Sequence, residues 1–298
     1  MTCAPAPDAP VTLRVANGST AQVLPFGAHL ISWIPADGVE RLYLSPRALR
    51  DGSAPIRGGV PICFPQFNQR VLGASVLPKH GLARIATWRR LAGTPHDAAA
   101  SDPASAWVEF GWQSDDSVAG LWPHRFAAHY RVELTAHTLT LRFTVANRDR
   151  IAWPFALALH TYLNVQDITT TRLEGLEGCA YWDAVAHAGQ PSLESPPERM
   201  SLRFDGETDR VYHTAGTPLR VMQGADVHTV TLTQSPNLTE VVVWNPGAKL
   251  CERLSDMPAD GYRHMLCVEA ACINQPVWLQ PGASWSGWQT LTSAPHVA

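Results

Sequence analysis

The sequence predicts an all-β fold, an antiparallel sandwich with few and short helices. Short apolar runs recur between turn residues, at the spacing of about 8–12 residues that is typical of sandwiches and barrels. The 298 residues include 21 Gly and 24 Pro, so turns are frequent, and 45% are hydrophobic while only 16% are charged. This composition and length favour one large packed core over a disordered chain.

The elements follow in order along the chain. Pro and Ala dominate residues 1–10, so we expect a flexible tail there and a single domain over 11–298. Period-2 alternation predicts strands on both sides of Asn17-Gly18 and again on both sides of Pro25-Phe26-Gly27. Further strands are predicted at 107–113, 124–135, 138–149, 154–165, 227–235, 239–247, 265–273 and 283–294.

Two segments of this pattern are a predicted turn and a run that fits either a helix or a strand. Residues 136–138 separate two alternating segments, which predicts a hairpin. The run 154–165 is apolar throughout and fits a helix or a strand, but its flanking residues favour a strand. Only 46–49 and 249–254 have the character of one or two helical turns.

Charge, targeting signals and cysteine spacing exclude several classes of protein. The formal net charge is −3 and no run of Lys or Arg exists, so we expect no nucleic-acid partner. No signal peptide and no apolar stretch of about 18 residues is present, so no membrane association is expected. The six cysteines lack C-x-x-C or zinc-ligand spacing, which indicates reduced thiols, no metal and a cytoplasmic protein. The 11 Trp residues fit an aromatic core or a carbohydrate-facing surface.

Two loop-like segments combine glycine with positive charge. Arg57 precedes two glycines, which let the backbone approach a ligand, and its guanidinium offers a planar fork of donors to a phosphate or a sugar hydroxyl. Lys79, His80 and Arg84 lie within six residues of one another and form a candidate anion-binding cluster. A tight turn with a surface arginine and a solvated basic loop would give the same two patterns.

Three further polar residues stand in apolar or strand-like surroundings. His160 lies in an apolar run, where an imidazole is either a satisfied core residue or an acid–base group tuned by partial burial. Glu269 lies in another such run, where burial would raise its pKa toward that of a general base, although strand alternation could instead point it at solvent. Asp209 could accept hydrogen bonds from a hydroxylated ligand or pair with Arg210 in a turn.

Taken together, six blocks resemble the aldose 1-epimerase (mutarotase) superfamily, and within it the hexose-6-phosphate branch, the glucose-6-phosphate 1-epimerases. The blocks are RGGVPICFPQF, LPKHGLAR, ALHTYLNV, TDRVY, VVVWNP and SDM…GYRHMLCVEAA, in the family's order, and the resemblance spans about residues 11–292. It implies a galactose-mutarotase-like β-supersandwich, an isomerase that interconverts the anomers of a hexose 6-phosphate, and no cofactor.

The resemblance also implies roles for the residues. Glu269 would be the base and His160 the acid of ring opening, while His80 and Asp209 would contact the sugar. Three cations would bind the 6-phosphate: Arg57, Lys79 and Arg84. Lys79 departs from the glutamine that is common in relatives and adds a positive charge beside the expected phosphate pocket.

Two other functions remain open on the residues. An aldose 1-epimerase acting on unphosphorylated hexoses would make poor use of three cations. A non-catalytic carbohydrate-binding sandwich would have no need for an acid–base pair. We expect a monomer whose partner is a small phosphosugar.

Overall fold

Period-2 alternation places one face of each long strand in the core. The computed structural model describes residues 9–69, 77–93, 104–190, 194–195, 197–214, 216–224 and 227–294. Within Ser105–Gln113, Phe126–Thr135 and Thr138–Asn147, every second residue is buried. Because successive side chains of a strand point to opposite faces, each of these strands covers apolar material on one side only.

The described chain contains twenty strands. They are β1 (Val11–Arg14), β2 (Thr20–Leu24), β3 (His29–Ile34), β4 (Ile62–Cys63), β5 (Arg89–Gly93), β6 (Ser105–Gln113), β7 (Phe126–Thr135), β8 (Thr138–Asn147), β9 (Trp153–Leu159), β10 (Tyr162–Asn164), β11 (Arg172–Glu174), β12 (Tyr181–Asp183), β13 (Glu194–Ser195), β14 (Leu202–Arg203), β15 (Thr208–His213), β16 (Leu219–Gln223), β17 (Val227–Gln234), β18 (Glu240–Asn245), β19 (Met265–Leu279) and β20 (Ser284–Ser293). Every strand predicted from alternation is present, and β7 and β8 form the expected hairpin.

Helices are few and short among the described residues, as predicted. α1 (Asp116–Ala119) was not predicted, and Asp115 caps it by accepting hydrogen bonds from the next turn. α2 (Gly247–Cys251) overlaps the expected helical turns at 249–254. Residues 46–49 are not helical, which corrects that expectation. The described residues also contain three 3₁₀ segments: Ala83–Ile85, Ile168–Thr170 and Gly261–His264.

The strands form three antiparallel sheets. A nine-stranded sheet has the order β14-β11-β16-β17-β20-β8-β7-β6-β5, and a three-stranded sheet has the order β1-β2-β3. An eight-stranded sheet has the order β13-β12-β15-β18-β19-β9-β4, with β10 also paired to β19. The all-β, antiparallel prediction is therefore confirmed.

The main core lies where the two large sheets face each other. One cluster of buried apolar side chains includes Phe143 of the nine-stranded sheet and Val268 of the eight-stranded sheet. Aromatic contacts cross the interface, with ring centroids 5.3 Å apart between Phe155 and Trp285. Several tryptophans lie fully inside the protein, namely Trp33, Trp88, Trp122 and Trp153. The high tryptophan content is therefore largely a property of the core.

The structure does not test the expected N-terminal tail or the expected limits of the domain. Residues 1–8 of the expected N-terminal tail are not among the described residues, and the limits of the single domain stay a prediction. None of the described helices has the length and apolarity needed to cross a membrane.

Candidate active site

Strand register brings His160 and Glu269 face to face. The last residue of β9 pairs with Ala270 of β19, and the first residue of β10 pairs with Cys267. The register is the same on both sides of the two-residue gap between β9 and β10. His160 in that gap therefore lies directly opposite Glu269, and directly opposed residues project from the same face of a sheet.

That face is turned away from the main core. Val268 and Ala270 belong to the core cluster, so alternation sends Cys267 and Glu269 to the other side of β19. Trp244 pairs with Cys267 on one side and with Asp209 on the other. Asp209, predicted to contact a sugar, is thus brought to the same face as Glu269. The eight-stranded sheet supplies the floor of the site.

The two predicted catalytic side chains are in contact and almost fully buried. His160 is 7% exposed and Glu269 is 1% exposed. His160 Nδ1 lies 3.2 Å from Glu269 Oε1. The contact lacks hydrogen-bond geometry, and neither this nitrogen nor either carboxylate oxygen has another partner among the described residues. Both groups therefore keep hydrogen-bonding capacity that a substrate can use. The alternative in which Glu269 faces solvent is wrong.

Burial shifts the pKa values of the two groups in opposite directions. Desolvation raises the pKa of Glu269 well above its ordinary value, and the charge of Asp209 raises it further. Desolvation also lowers the pKa of His160 well below its ordinary value, and the charges of Arg57, Arg84 and Lys79 add to this effect. Burial therefore favours the neutral form of both groups, a protonated carboxyl beside an unprotonated imidazole.

His80 lies against His160. Their ring centroids are 5.4 Å apart in an edge-to-face arrangement. The Nδ1 atom of His80 accepts a hydrogen bond from the backbone N–H of Asn68 and lies 3.4 Å from Cys63 Sγ. Burial lowers the pKa of His80 well below its ordinary value. A neutral His80 with Nδ1 as acceptor carries its proton on Nε2, so it can donate to a sugar oxygen.

Arg57 is held from two sides. Its Nε donates to Asp256 Oδ2 at 3.1 Å, and its Nη1 donates to the hydroxyl of Tyr162 at 3.1 Å. The Tyr162 ring stacks on the ring of His160, with centroids 4.7 Å apart and planes 7° from parallel. Trp244 also lies under the guanidinium, 6.0 Å from it. Tyr162 thus joins Arg57 to the ring of His160, and Trp244 lies beside both.

Lys79 and Arg84 come from one short loop. Arg84 Nη2 donates to the backbone oxygen of Lys79 at 2.6 Å, while its buried Nε lacks a partner among the described residues. The pKa of Lys79 is lowered by partial burial and by the charges of Arg57 and Arg84. Burial also lowers the pKa of Arg84. Three cations that disfavour one another are stabilised by an anion placed between them.

Sequence reasoning assigned no role to Tyr162 or Asp256. Tyr162 follows His160 by two residues in a strand-like run, which is the spacing that shares a face, so alternation could have found it. Asp256 lies in the SDM block, but its partner Arg57 is 199 residues away in the chain. No local pattern reports such a contact.

A metal ion has one candidate position in the described chain. His160, Cys267 and Glu269 each bring one ligand atom within 4.8 Å of the others. Three neighbouring cations act against a divalent metal there, since like charges repel most strongly where solvent is excluded. The electrostatics of the site suit an anionic ligand better.

The sequence matches the aldose 1-epimerase family over residues 10–292. Two curated relatives bear the name "Putative glucose-6-phosphate 1-epimerase". The one from Cenchrus ciliaris is 31% identical over 288 residues, covering 96% of this chain and 84% of the relative. The one from Escherichia coli (strain K12) is 33% identical over 251 residues, covering 84% of this chain and 78% of the relative.

Solved structures agree in fold. The crystal structure of the YeaD protein of Salmonella typhimurium, described provisionally as a mutarotase, superimposes with a TM-score of 0.81 at 29% identity, covering 93% of this chain and 88% of that one. A galactose mutarotase related enzyme from Lactobacillus acidophilus has a TM-score of 0.74 at 13% identity, covering 96% and 97%. At 13% identity, the similarity to the Lactobacillus acidophilus structure shows a shared fold only. The galactose-mutarotase-like architecture is confirmed.

Proposed function

The chain belongs to the aldose 1-epimerase family, and on that premise we propose that it interconverts the α and β anomers of a hexose 6-phosphate. Glucose 6-phosphate is the substrate we expect, in keeping with the names of the relatives. One observation carries the proposal. The buried pair of His160 and Glu269 lies within the electrostatic reach of three cations.

Anomerisation needs one proton removed and one supplied. In our proposal Glu269 takes the proton from the C1 hydroxyl, and the electron pair of that O–H bond forms the C1 carbonyl. The bond between C1 and the ring oxygen breaks, and the ring oxygen takes a proton from His160. After rotation about the C1–C2 bond the two roles reverse, and the ring closes on the other face. Each group must donate and accept in one turnover, and the raised pKa of Glu269 brings that carboxyl closer to the pKa range of a general base at neutral pH.

In this proposal the 6-phosphate is bound by three cations, Arg57, Lys79 and Arg84. A guanidinium matches the geometry of phosphate oxygens, and charge-assisted hydrogen bonds of this kind are about twice as strong as neutral ones. The buried Nε of Arg84, which lacks a protein acceptor among the described residues, is a donor that a phosphate oxygen can satisfy. His80 and Asp209 would contact the sugar between the phosphate and C1.

We further propose that the protein is a cytoplasmic monomer. The five cysteines of the described chain are unpaired, which suits a reducing compartment. Sedimentation velocity tests the monomer directly, and a concentration-independent dimer would contradict it.

Saturation transfer between the α and β C1 protons measures the catalysed exchange. We expect fast exchange with glucose 6-phosphate and little with free glucose or galactose run in parallel. Equally fast exchange of free sugars would make the protein a general aldose 1-epimerase. Binding of the phosphosugar without exchange would make it a carbohydrate-binding module.

Substitution of the pair tests the mechanism. Glu269→Gln and His160→Asn should each lower the exchange rate by about 10²–10⁴-fold, the usual contribution of a positioned acid or base. Phosphosugar binding, followed by calorimetry, should be largely kept. The exposed residues Glu252 and His137 give matched controls, Glu252→Gln and His137→Asn, which should leave the rate unchanged. A wild-type rate in either site variant contradicts the assigned roles.

A further inference from the structure

Direct contacts join the cations to the acid–base pair. Asp256 holds Arg57, Arg57 donates to the hydroxyl of Tyr162, and the ring of Tyr162 lies parallel to that of His160. His160 then contacts Glu269. A ligand bound to the guanidinium of Arg57 therefore lies close to His160 and Glu269, the two groups proposed to transfer protons.

We propose that an oxyanion bound by Arg57, Lys79 and Arg84 activates the His160–Glu269 pair, so that inorganic phosphite, added as a separate molecule, accelerates the anomerisation of an unphosphorylated hexose. The inference rests on the proposed function and goes beyond it. The phosphate would be an activating group as well as an anchor. Selectivity for phosphosugars would then lie in the rate of the chemical step and not only in binding.

The three cations act differently on His160 and on Glu269. All three cations lower the pKa of His160, whereas Lys79 alone among them acts to lower that of Glu269. Without an anion, the cations therefore oppose the protonated form of His160. A dianion among them cancels much of this effect and favours transfer of the shared proton from Glu269 to His160, the state that ring opening requires.

Seven titratable or charged groups of the described chain act on His160 or lie against it: Arg57, Lys79, His80, Arg84, Tyr162, Cys267 and Glu269. Cys267 stays a thiol, because burial raises its pKa well above the ordinary value. His80 and Tyr162 stay neutral at neutral pH, because burial lowers the pKa of the first and raises that of the second. The charge of Asp209 raises the pKa of Glu269. Among these groups of the described chain, the cations are therefore the ones whose effect on His160 a bound oxyanion changes most.

The cluster also presents hydrogen-bond donors to an anion. The Nε of Arg84 is buried and lacks an acceptor in the described chain, and a phosphite oxygen would supply one. Arg57 donates to Asp256 and Tyr162 through Nε and Nη1, and none of the hydrogen bonds among the described residues uses its Nη2. A separate oxyanion can therefore occupy the position that the 6-phosphate would take.

The test measures exchange between the anomers of free glucose with protein, with phosphite and with both. We expect the combination to exceed the sum of the two separate rates by tenfold or more, since one unit of pKa corresponds to about a tenfold change in equilibrium. Subtracting the rate with phosphite alone removes buffer catalysis. Additive rates, or phosphite acting only as an inhibitor, would overturn the inference.

Measuring both glucose 6-phosphate and free glucose distinguishes a failure of this inference from a failure of the proposed function. If glucose 6-phosphate is anomerised but phosphite has no effect on glucose, the function stands and activation is wrong. If neither sugar reacts, the function itself is wrong. Arg84→Ala should abolish phosphite activation, while Arg142→Ala, which removes an exposed arginine from the nine-stranded sheet, should retain it.

A second measurement reads the proton directly. In protein labelled with ¹⁵N-histidine, titration with phosphite at constant pH should shift the His160 ring nitrogens toward the imidazolium pattern. The signal of His137, which is exposed, provides the internal reference. Unchanged His160 signals at saturating phosphite would contradict the proposal even if the rate rises.

Discussion

At the scale of single residues, Asp256 decides how Arg57 is presented. Its carboxylate accepts from Nε of Arg57 at 3.1 Å, while the side chain itself is a third exposed. A long arginine side chain loses much rotational freedom when it is fixed, so prior fixation lowers the cost of binding a ligand. Asp256 is thus a positioning residue and does not touch the substrate in our proposal.

Asp256→Ala should raise KM for the hexose 6-phosphate and leave kcat nearly unchanged. The expected rise is roughly tenfold, because hydrogen bonds to charged groups contribute about 1.5–3 kcal/mol and solvent screening reduces that here. Steady-state exchange rates at several substrate concentrations give both constants. The exposed Asp205 offers a matched control, Asp205→Ala. A fall in kcat with unchanged KM would contradict a positioning role.

Individual site residues differ in how far the sequence could predict them. His160 and Glu269 stood out because a polar residue in an apolar run is conspicuous. Their mutual contact, in contrast, depends on the pairing of two strands whose contacting residues are more than 100 positions apart. The roles assigned to all seven predicted residues remain predictions, although the structure places these residues around one sheet face.

At the scale of elements, the break between β9 and β10 is informative. The sequence predicts one strand over 154–165, but the ladder is interrupted at His160, whose backbone N–H donates to Pro61. Thr161 donates its hydroxyl to the side chain of Gln289. The break leaves the register unchanged, so it alters hydrogen bonding without turning His160 away from Glu269.

The loop that carries Lys79 and His80 depends on a close approach at Gly81. This glycine has a φ of +74°, and a Cβ atom there would lie 2.3 Å from the backbone oxygen of Phe64. Gly81→Ala should therefore lower the free energy of unfolding by more than the cost of φ strain alone, which is about 1–2 kcal/mol. The same shift should move Lys79 and Arg84 and raise KM.

Gly178 provides the control for that prediction. It has a similar φ of +80° but no heavy atom within 4 Å of its Cβ position. Gly178→Ala therefore reports φ strain alone. Urea unfolding of the two variants should give a larger loss for Gly81→Ala, and equal losses would show that the contact with Phe64 relaxes freely.

At the scale of the whole molecule, the long strands were predictable and the short ones were not. β6, β7, β8 and β20 each extend over nine or more residues, so their alternation is visible in the sequence. Strands of two or three residues such as β4 carry no period at all. They form because neighbouring strands offer unpaired backbone groups, which is a property of the assembled sheet.

The stability of the whole molecule against acid depends in part on His29. This residue begins β3 and is fully buried, and its Nε2 lies 2.7 Å from the backbone oxygen of Gly58, beside Arg57. With Nε2 as donor, Nδ1 is the site that would take a second proton, and Nδ1 is buried without a partner in the described chain. Burial lowers the pKa of His29 to about 4, from 6.5.

The sign of the pH dependence follows from that difference. Below pH 6.5 the unfolded chain takes up a proton at this histidine that the folded protein does not take up until about pH 4. The free energy of unfolding therefore falls between these two values, by about 3 kcal/mol in total, and His29 contributes no further change below them. Urea unfolding at pH 7, 5.5 and 4 measures this fall in the free energy of unfolding.

His29→Gln, whose amide can still donate to Gly58, should lose less free energy of unfolding between pH 7 and pH 4 than the wild type. The exposed control His137→Gln should match the wild type, and a slope for His29→Gln equal to both would refute the assignment.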